Sequence, residues 1–351
     1  MSPGKILGQI RKEIDPGAST VEVIPLAGDA SNRSYFRLNL LSGNRGRSSL
    51  VLMVLAEPEP FKQSEEKESG AVKMAELPFL NVQKYLAGSG IRVPKLYFHD
   101  REEGLIYLED LGDRTLEAEV RNGSEDRKRH FYQRAVDDLI EMQNCRETDL
   151  RCVAFDRSYN QALLVWEFEH FLEYGVEGKI GRKVGSEDAA LFKETFAKLA
   201  SRIAAEPQVF VHRDYHSRNL MVQGETLRLI DFQDALMGPP QYDLASLLRD
   251  AYVTLSESFV DELVGYYLAQ REKRGSESRD PDPFRYLFDL VSLQRNMKAA
   301  GRFVFIDQVK NNPSFLKYVP KALGDISRNL NKYPELHRFR DALARYLPEL
   351  A

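Results

Sequence analysis

The sequence predicts an α+β protein of two lobes, a small β-rich lobe over residues 1–111 and a larger helical lobe over residues 112–351. Three observations carry this expectation. Runs of β-branched and aromatic residues of strand length crowd into the first third of the chain. Beyond them, apolar residues recur at three- and four-residue spacings. The character of the chain changes most sharply at Leu111-Gly112, where we place the hinge.

At the start of the chain, Ile6, Ile10 and Ile14 predict a short amphipathic helix that caps the fold. Val21–Ala27, Tyr35–Leu41 and Leu50–Leu55 read as strands bounded by Gly, Asn and Ser clusters. Residues 61–70 are polar and predict a mobile segment. A helix is expected over about 74–87 on the strength of Leu77, Leu80, Val82 and Leu86. Lys95–His99 and Leu105–Glu109, around the turn at Arg101–Gly104, complete five strands with one inserted helix. After Gly112, helices are expected over about 127–145, 158–174, 188–204, 241–253, 256–272, 284–304 and 334–347. Leu244, Leu247, Leu248 and Ala251 illustrate the periodicity, and Gly- and charge-rich stretches at 121–128, 175–187 and 272–283 separate the helices.

Composition narrows the classes. A net charge of −4 with 29% charged and 43% hydrophobic residues is ordinary for a soluble domain and argues against a dedicated nucleic-acid binder. No stretch of 18 apolar residues predicts a membrane span, and the N-terminal segment has no signal-peptide core, so a cytoplasmic monomer is expected. Cys145 and Cys152 form neither a zinc pattern nor a disulfide framework, and His99, His130, His170 and His337 are isolated.

The most informative segment is residues 212–219, His-Arg-Asp-Tyr-His-Ser-Arg-Asn, followed by Ile230-Asp231-Phe232. The spacing is that of the protein-kinase catalytic loop, H-R-D-x-x-x-x-N, and its metal-binding D-F-G. Phosphoryl transfer needs a carboxylate to orient a hydroxyl and take its proton, for which Asp214 is the candidate. It also needs oxygen ligands for Mg²⁺ across the phosphates of ATP, for which Asn219 and Asp231 are the candidates. Leu220-Met221-Val222 and Leu227-Arg228-Leu229-Ile230 flank Gln-Gly-Glu-Thr, a hairpin expected to bring Asn219 beside Asp231.

Other segments take their meaning from this loop. Gly28–Ser34 sits between the first two strands, with Ser31 and Asn32 as phosphate contacts and Arg33 adding positive charge. The third strand, Ser49–Val54, lacks the lysine that a kinase offers to the α- and β-phosphates, leaving Arg33 or Arg37 as the replacement cation. Backbone groups of Glu109 and Leu111, in Leu108–Asp113, are placed to meet an adenine edge. Arg218 is a candidate for contact with the transferred phosphoryl, its plain alternative being a surface arginine. Asp234 is a candidate for a metal-bound water or a sugar hydroxyl, and Asp243 for fixing the catalytic loop through His212 or backbone amides. Arg295 and Lys298, in Gln294–Lys298, suit an anionic or polar substrate. Trp166, with Phe168 and Phe171, reads as core.

Together these segments resemble the aminoglycoside phosphotransferase-like kinases, small-molecule kinases with a protein-kinase-like bilobal fold. Within them the likeness is nearest to the bacterial N-acetylmuramate/N-acetylglucosamine anomeric kinases of cell-wall recycling. It rests on Gly28–Arg37, Leu108–Asp113, His212–Val222, Leu229–Ala235, Tyr242–Asp250 and Gln294–Lys298, spanning roughly residues 28 to 300. The resemblance implies ATP- and Mg²⁺-dependent phosphorylation of a sugar's anomeric hydroxyl. Met53-Val54-Leu55-Ala56-Glu57-Pro58 departs from the subgroup's Met-Asp-Ala-Pro, and residues 158–185 match weakly. An aminoglycoside, a choline-like amine or a ketosamine stays open as substrate, as does non-catalytic nucleotide binding.

Overall fold

The computed structural model describes residues 2–26, 33–42, 46–55, 76–275 and 280–350. The chain opens with α1 (Pro3–Glu13), with Pro3 in its first turn and Arg11 and Lys12 at its C-terminal end. Three antiparallel strands follow, β1 (Ala18–Pro25), β2 (Arg33–Ser42) and β3 (Gly46–Leu55), then α2 (Pro78–Gly88), β4 (Leu96–Asp100) and β5 (Leu105–Glu109). The sheet order is β1-β2-β3-β5-β4, so the expected five strands and inserted helix are all present.

The two faces of this sheet bury different partners. Ile6 and Ile10 of α1 pack on Leu38, Leu40, Leu50, Leu52, Leu105 and Tyr107. On the other face, Met53, Ile106 and Leu108 join α2 and the helical core in one continuous cluster. The alternation of strand side chains explains why neighbouring residues serve different faces. Phe79 of α2 stacks on Phe232, with ring centroids 5.1 Å apart, and ties α2 to the segment after Asp231.

Past Gly112, which takes a φ of +80° that suits glycine, the chain is helical. In order come α3 (Leu116–Asn122), α4 (Glu125–Gln143), α5 (Gln161–His170), α6 (Ser186–Ala204), and then β6 (Val209–Val211), β7 (Leu220–Gln223), β8 (Thr226–Leu229) and β9 (Leu236–Gly238). The chain finishes with α7 (Gln241–Leu248), α8 (Glu257–Lys273), α9 (Pro281–Lys310), α10 (Val319–Lys332) and α11 (His337–Ala344). Thr115, Ser124, Asn160 and Ser256 cap α3, α4, α5 and α8 by accepting from backbone N–H groups inside the first turn.

Several boundaries differ from expectation. The helix expected over 158–174 starts at Gln161 and passes into a π-helical stretch, Phe171–Gly178, where a closely packed Gly301 from α9 faces the backbone of Phe171. α7 stops at Leu248 rather than near 253, because Asp250 turns to accept from the N–H groups of Ser217 and Tyr252. The α3, β9 and α10 elements were not expected. Residues 61–70 lie outside the described residues.

The connection between β5 and α3 is held from the sheet side by Arg37. Its guanidinium makes paired bonds to Asp110, at 2.7 and 3.0 Å, and to Asp113, at 2.9 and 2.8 Å. Burial works against the charged form of Asp110, but Arg37 and the N–H of Gly112 hold it below the ordinary carboxylate range. The Asp110 side chain is only 5% exposed. Arg37→Met is therefore expected to lower the unfolding free energy by about 2–4 kcal/mol by stranding Asp110. Urea denaturation measures this, and a midpoint unchanged from wild type rejects the lock.

Candidate active site

Two short antiparallel ladders frame the site. β6 pairs with β9, and β7 pairs with β8 through a turn at Gly224, whose φ is +60°. They hold residues 212–219 against residues 230–235, so that the N–H of Ile230 donates to the carbonyl of Asn219 at 3.0 Å. Segment 91–95 stitches this hairpin to the small sheet. The N–H of Leu229 donates to Arg92 O at 2.8 Å, and Arg228 bonds both Val93 O and Glu109.

The loop is held by buried acceptors. Asp243 accepts from the N–H of His212 at 2.6 Å and of Arg213 at 3.0 Å, so it fixes the loop through backbone amides. His212 Nε2 faces Ile230 O at 2.9 Å, and a carbonyl only accepts, so the ring proton sits on Nε2. His212 Nδ1 then accepts from the N–H of Asp214 at 3.2 Å. Burial holds this imidazole down at about 4, keeping it neutral in that role. Arg213 and Asp231 adopt φ of +83° and +63°, a conformation costly for residues with a Cβ and held here by the surrounding contacts.

The convergence expected from the motif is present. Asn219 Nδ2 donates to Asp214 O at 2.9 Å and lies 3.5 Å from Asp231 Oδ2. Asp231 keeps an exposed edge; loss of solvent around the rest of it, with Asp214 and Asp234 nearby, pushes its carboxyl up to about 6, against the pull of Gln233 and Arg33. Gln233 Nε2 bonds Asp231 Oδ1 at 2.9 Å and reaches Asp234 at 3.4 Å.

Asp214 has the opposite surroundings. Enclosure disfavours its charge, yet Lys298, then Arg295, His216 and Arg213 outweigh it and hold Asp214 well below the usual carboxylate range. Lys298 Nζ is 4.0 Å and Arg295 Nη2 is 3.8 Å from Asp214 Oδ1. Both side chains come from α9, which also places Arg295 on Ser246 and over the ring of Tyr242.

Other candidates are placed differently. Arg37 does not serve as the replacement for the third-strand lysine, because its guanidinium is spent on Asp110 and Asp113. Arg33 begins β2 opposite Leu55 and is near enough to favour the charge on Asp231. Arg218 does not present a free guanidinium to a phosphoryl group. Its Nε donates to Glu117 at 2.6 Å, Nη2 bonds Tyr318, and Cζ lies 3.8 Å from the Tyr252 ring centroid, so it braces the loop against α3. The N–H of Glu109 is already donated to Lys95 O at 2.9 Å, so an adenine contact from this residue runs through its carbonyl. Leu111 is buried next to the hinge. Ser31 and Asn32 lie outside the described residues. Trp166 is half-buried, packs on the core and stacks on His170 at 5.5 Å.

Glu167 of α5 was not anticipated. Its side chain has no exposure, and it bonds Arg213 at 2.9 Å and Gln294 at 2.6 Å while lying 3.3 Å from Lys298. The signal was a lone carboxylate within the apolar stripe of Leu163, Leu164, Phe168 and Phe171.

The small sheet, the helical lobe and this loop define a phosphotransferase. A model of the phosphotransferase enzyme family matches residues 22–287, and the chain belongs to that family. It is similar to the N-acetylmuramate/N-acetylglucosamine kinase of Neisseria meningitidis, 32% identical over 313 residues covering 88% of this chain and 86% of that one. It is also similar to the protein of the same name from Pseudomonas aeruginosa, 31% identical over 92% of this chain and 88% of that one. Among solved structures, a choline/ethanolamine kinase family protein from Mesorhizobium loti superposes with a TM-score of 0.59, covering 98% of this chain and 99% of that chain. At 15% identity this last likeness speaks to the shared bilobal fold alone.

Proposed function

We propose that this chain is an ATP- and Mg²⁺-dependent kinase that phosphorylates the anomeric hydroxyl of an amino sugar of the N-acetylmuramate/N-acetylglucosamine type. The observation that carries the reading is the meeting of Asp214 with Asn219 and Asp231 on one side and with Arg295 and Lys298 on the other. We take the lobes as 1–111 and 112–351 and the acting form as a cytoplasmic monomer.

In this reading Asp214 accepts the proton of the sugar hydroxyl as its oxygen bonds to the γ-phosphorus and the bond to the β-phosphate oxygen breaks, releasing ADP. Asn219 and Asp231 offer an amide oxygen and a carboxylate, an oxygen-only pair suited to Mg²⁺. Among the described residues no group of three His, Cys, Asp or Glu side chains forms a metal site by itself. Two protein oxygens fit an ion that keeps waters and phosphates as its other ligands. Bound there, Mg²⁺ supplies charge neutralisation across the phosphates. Ser31 and Asn32 cover the phosphates, Arg33 stands in for the third-strand lysine, and the Glu109 carbonyl and Leu111 backbone meet the adenine edge. Asp234 is reserved for a metal-bound water or a sugar hydroxyl.

The cationic flank of Asp214 favours a sugar over a choline-like amine or an aminoglycoside, whose positive charge is repelled by Arg295 and Lys298. The names of the relatives add support for the amino sugar. The deciding experiment incubates the protein with ATP, Mg²⁺ and a panel of sugars and amines, follows ADP release, and identifies the product by NMR. Loss of the reducing end of N-acetylmuramate or N-acetylglucosamine supports the proposal; phosphorylated sugar with its reducing end intact rejects the anomeric site. ATP binding without turnover across the panel supports the non-catalytic reading.

A pH prediction follows from Asp231. With a carboxyl pushed up to about 6, it is protonated below that pH and charged above it. The Mg²⁺ concentration for half-maximal turnover is expected to rise by about tenfold per pH unit below pH 6, with excess Mg²⁺ restoring the rate. A requirement that stays flat between about pH 7 and pH 5 removes Asp231 from the metal site.

A further inference from the structure

Glu167 is a fully buried carboxylate at the junction of three elements. From α5 it accepts from Arg213 Nη2 at 2.9 Å on the catalytic loop and from Gln294 Nε2 at 2.6 Å on α9. The same α9 brings Lys298 Nζ to 3.3 Å from Glu167 and 4.0 Å from Asp214. Tyr159 Oη also accepts from Arg213 Nε at 3.0 Å and lies 3.5 Å from Glu167. Arg213 is the residue directly before Asp214 and holds a φ of +83°. The carboxylate therefore anchors the loop backbone that aims Asp214 and a cation that faces it.

We propose that Glu167 is a positioning residue for phosphoryl transfer: by holding both Arg213 and Lys298 at Oε1 while Gln294 secures Oε2, it aims Asp214 at the acceptor hydroxyl and keeps Lys298 from closing onto it. The proposal rests on the reading of Asp214 as the base. The distribution of charge supports it, because Glu167 faces both Arg213 and Lys298, while Arg295 faces Asp214 and Asp243. Without Glu167, Lys298 is left facing Asp214, and a fixed ion pair there competes with the incoming hydroxyl. Geometry at this level matters because small displacements of a reacting group cost large factors in rate.

Lys298 gives a readout that a purely structural role does not move. The groups facing it are Glu167 from α5, Asp214 and Arg213 from the catalytic loop and Tyr242 from α7, with Arg295 of its own helix also facing Asp214. Burial disfavours its charge, and Glu167 is the foremost group restoring it. Removing that carboxylate moves the loss of the Lys298 proton to lower pH.

The test uses the full chain of Glu167→Gln with ATP, Mg²⁺ and N-acetylglucosamine. Expected are a fall in kcat of about thirtyfold or more, a KM for ATP within about twofold of wild type, and an alkaline limb of kcat displaced to lower pH by about one unit. In a Lys298→Met background, Glu167→Gln is expected to cost less than it does in the wild type, since the Lys298 part of its role is already gone while its tie to Arg213 remains. Wild-type kcat in Glu167→Gln, or full additivity of the two substitutions, overturns the proposal. If Glu167→Gln does not fold, Lys298→Met alone decides. It removes the cation while leaving Glu167 bonded to Arg213 and Gln294; loss of the alkaline limb with lowered kcat supports the proposal, and an unchanged profile overturns it. Asp214→Asn run in parallel separates the two readings: if it is inactive while Glu167→Gln is normal, only the Glu167 role fails, whereas full activity in Asp214→Asn removes the base assignment itself.

Discussion

Asp214→Asn is expected to lower kcat about a thousandfold with little change in fold or in KM for ATP. The substitution is isosteric, so Asn219 still donates to the backbone carbonyl of residue 214 and the N–H of that residue still reaches His212 Nδ1. What disappears is a carboxylate able to take a proton from the acceptor hydroxyl. Its loss also removes one of the anions that Arg295 and Lys298 face, at 3.8 and 4.0 Å. Some turnover is expected to survive, because positioning and charge neutralisation by the rest of the site persist. ADP release under saturating ATP and sugar measures the effect, with circular dichroism reporting the fold. Turnover at the wild-type rate rules out Asp214 as the base.

Asp243→Ala is expected to be the most damaging change to the loop itself. The wild-type carboxylate takes two successive buried N–H groups, those of His212 and Arg213, at 2.6 and 3.0 Å. Burial pushes Asp243 up to about 7, while the two N–H donors and Arg295 favour its charge. Alanine leaves both donors unpaired, at about 1–3 kcal/mol each, for a total loss of about 2–6 kcal/mol of stability. Relaxation of Arg213 from its left-handed φ then releases Asp214 from its position, so activity falls as well. Asp243→Asn is not expected to rescue, because an amide presents a donor to one of the two N–H groups. Urea unfolding and kcat are the two measurements; an asparagine variant with wild-type stability and rate contradicts this account.

The small sheet was legible because its strands are continuous runs with turn signals at their ends, and each buried face follows from alternation along a strand. The hairpin was legible for a similar reason. Asn219 and Asp231 are joined by two four-residue strands and a glycine turn, so local geometry alone brings them within 3.5 Å. The α10 helix was also legible and was missed; Ala322, Leu323, Ile326 and Leu330 recur at helical spacing with Pro320 in the first turn. The end of α7 was not legible, since it depends on Asp250 finding Ser217 on the catalytic loop.

The arginines show where sequence reading stopped. Arg37 and Arg218 are chemically as able to meet a phosphate as Arg33, and nothing near them in sequence says otherwise. Arg37 is held by Asp110 and Asp113, and Arg218 by Glu117, all distant in sequence. A cation's availability depends on which carboxylate the fold places beside it.

By itself, the sequence determined the kinds of groups available: a carboxylate at Asp214 that we propose as base, oxygen donors at Asn219 and Asp231 that we propose as metal ligands, and a sheet-and-helix frame to hold them. These follow from residue type, short spacing and periodicity, which act over a few residues. Tertiary structure alone decided which charges act on that base. α9 delivers Arg295 and Lys298 to Asp214, and α5 buries Glu167 between Lys298 and Arg213. Electrostatic influence falls with distance and rises with burial, and both are set by how remote helices pack around the loop.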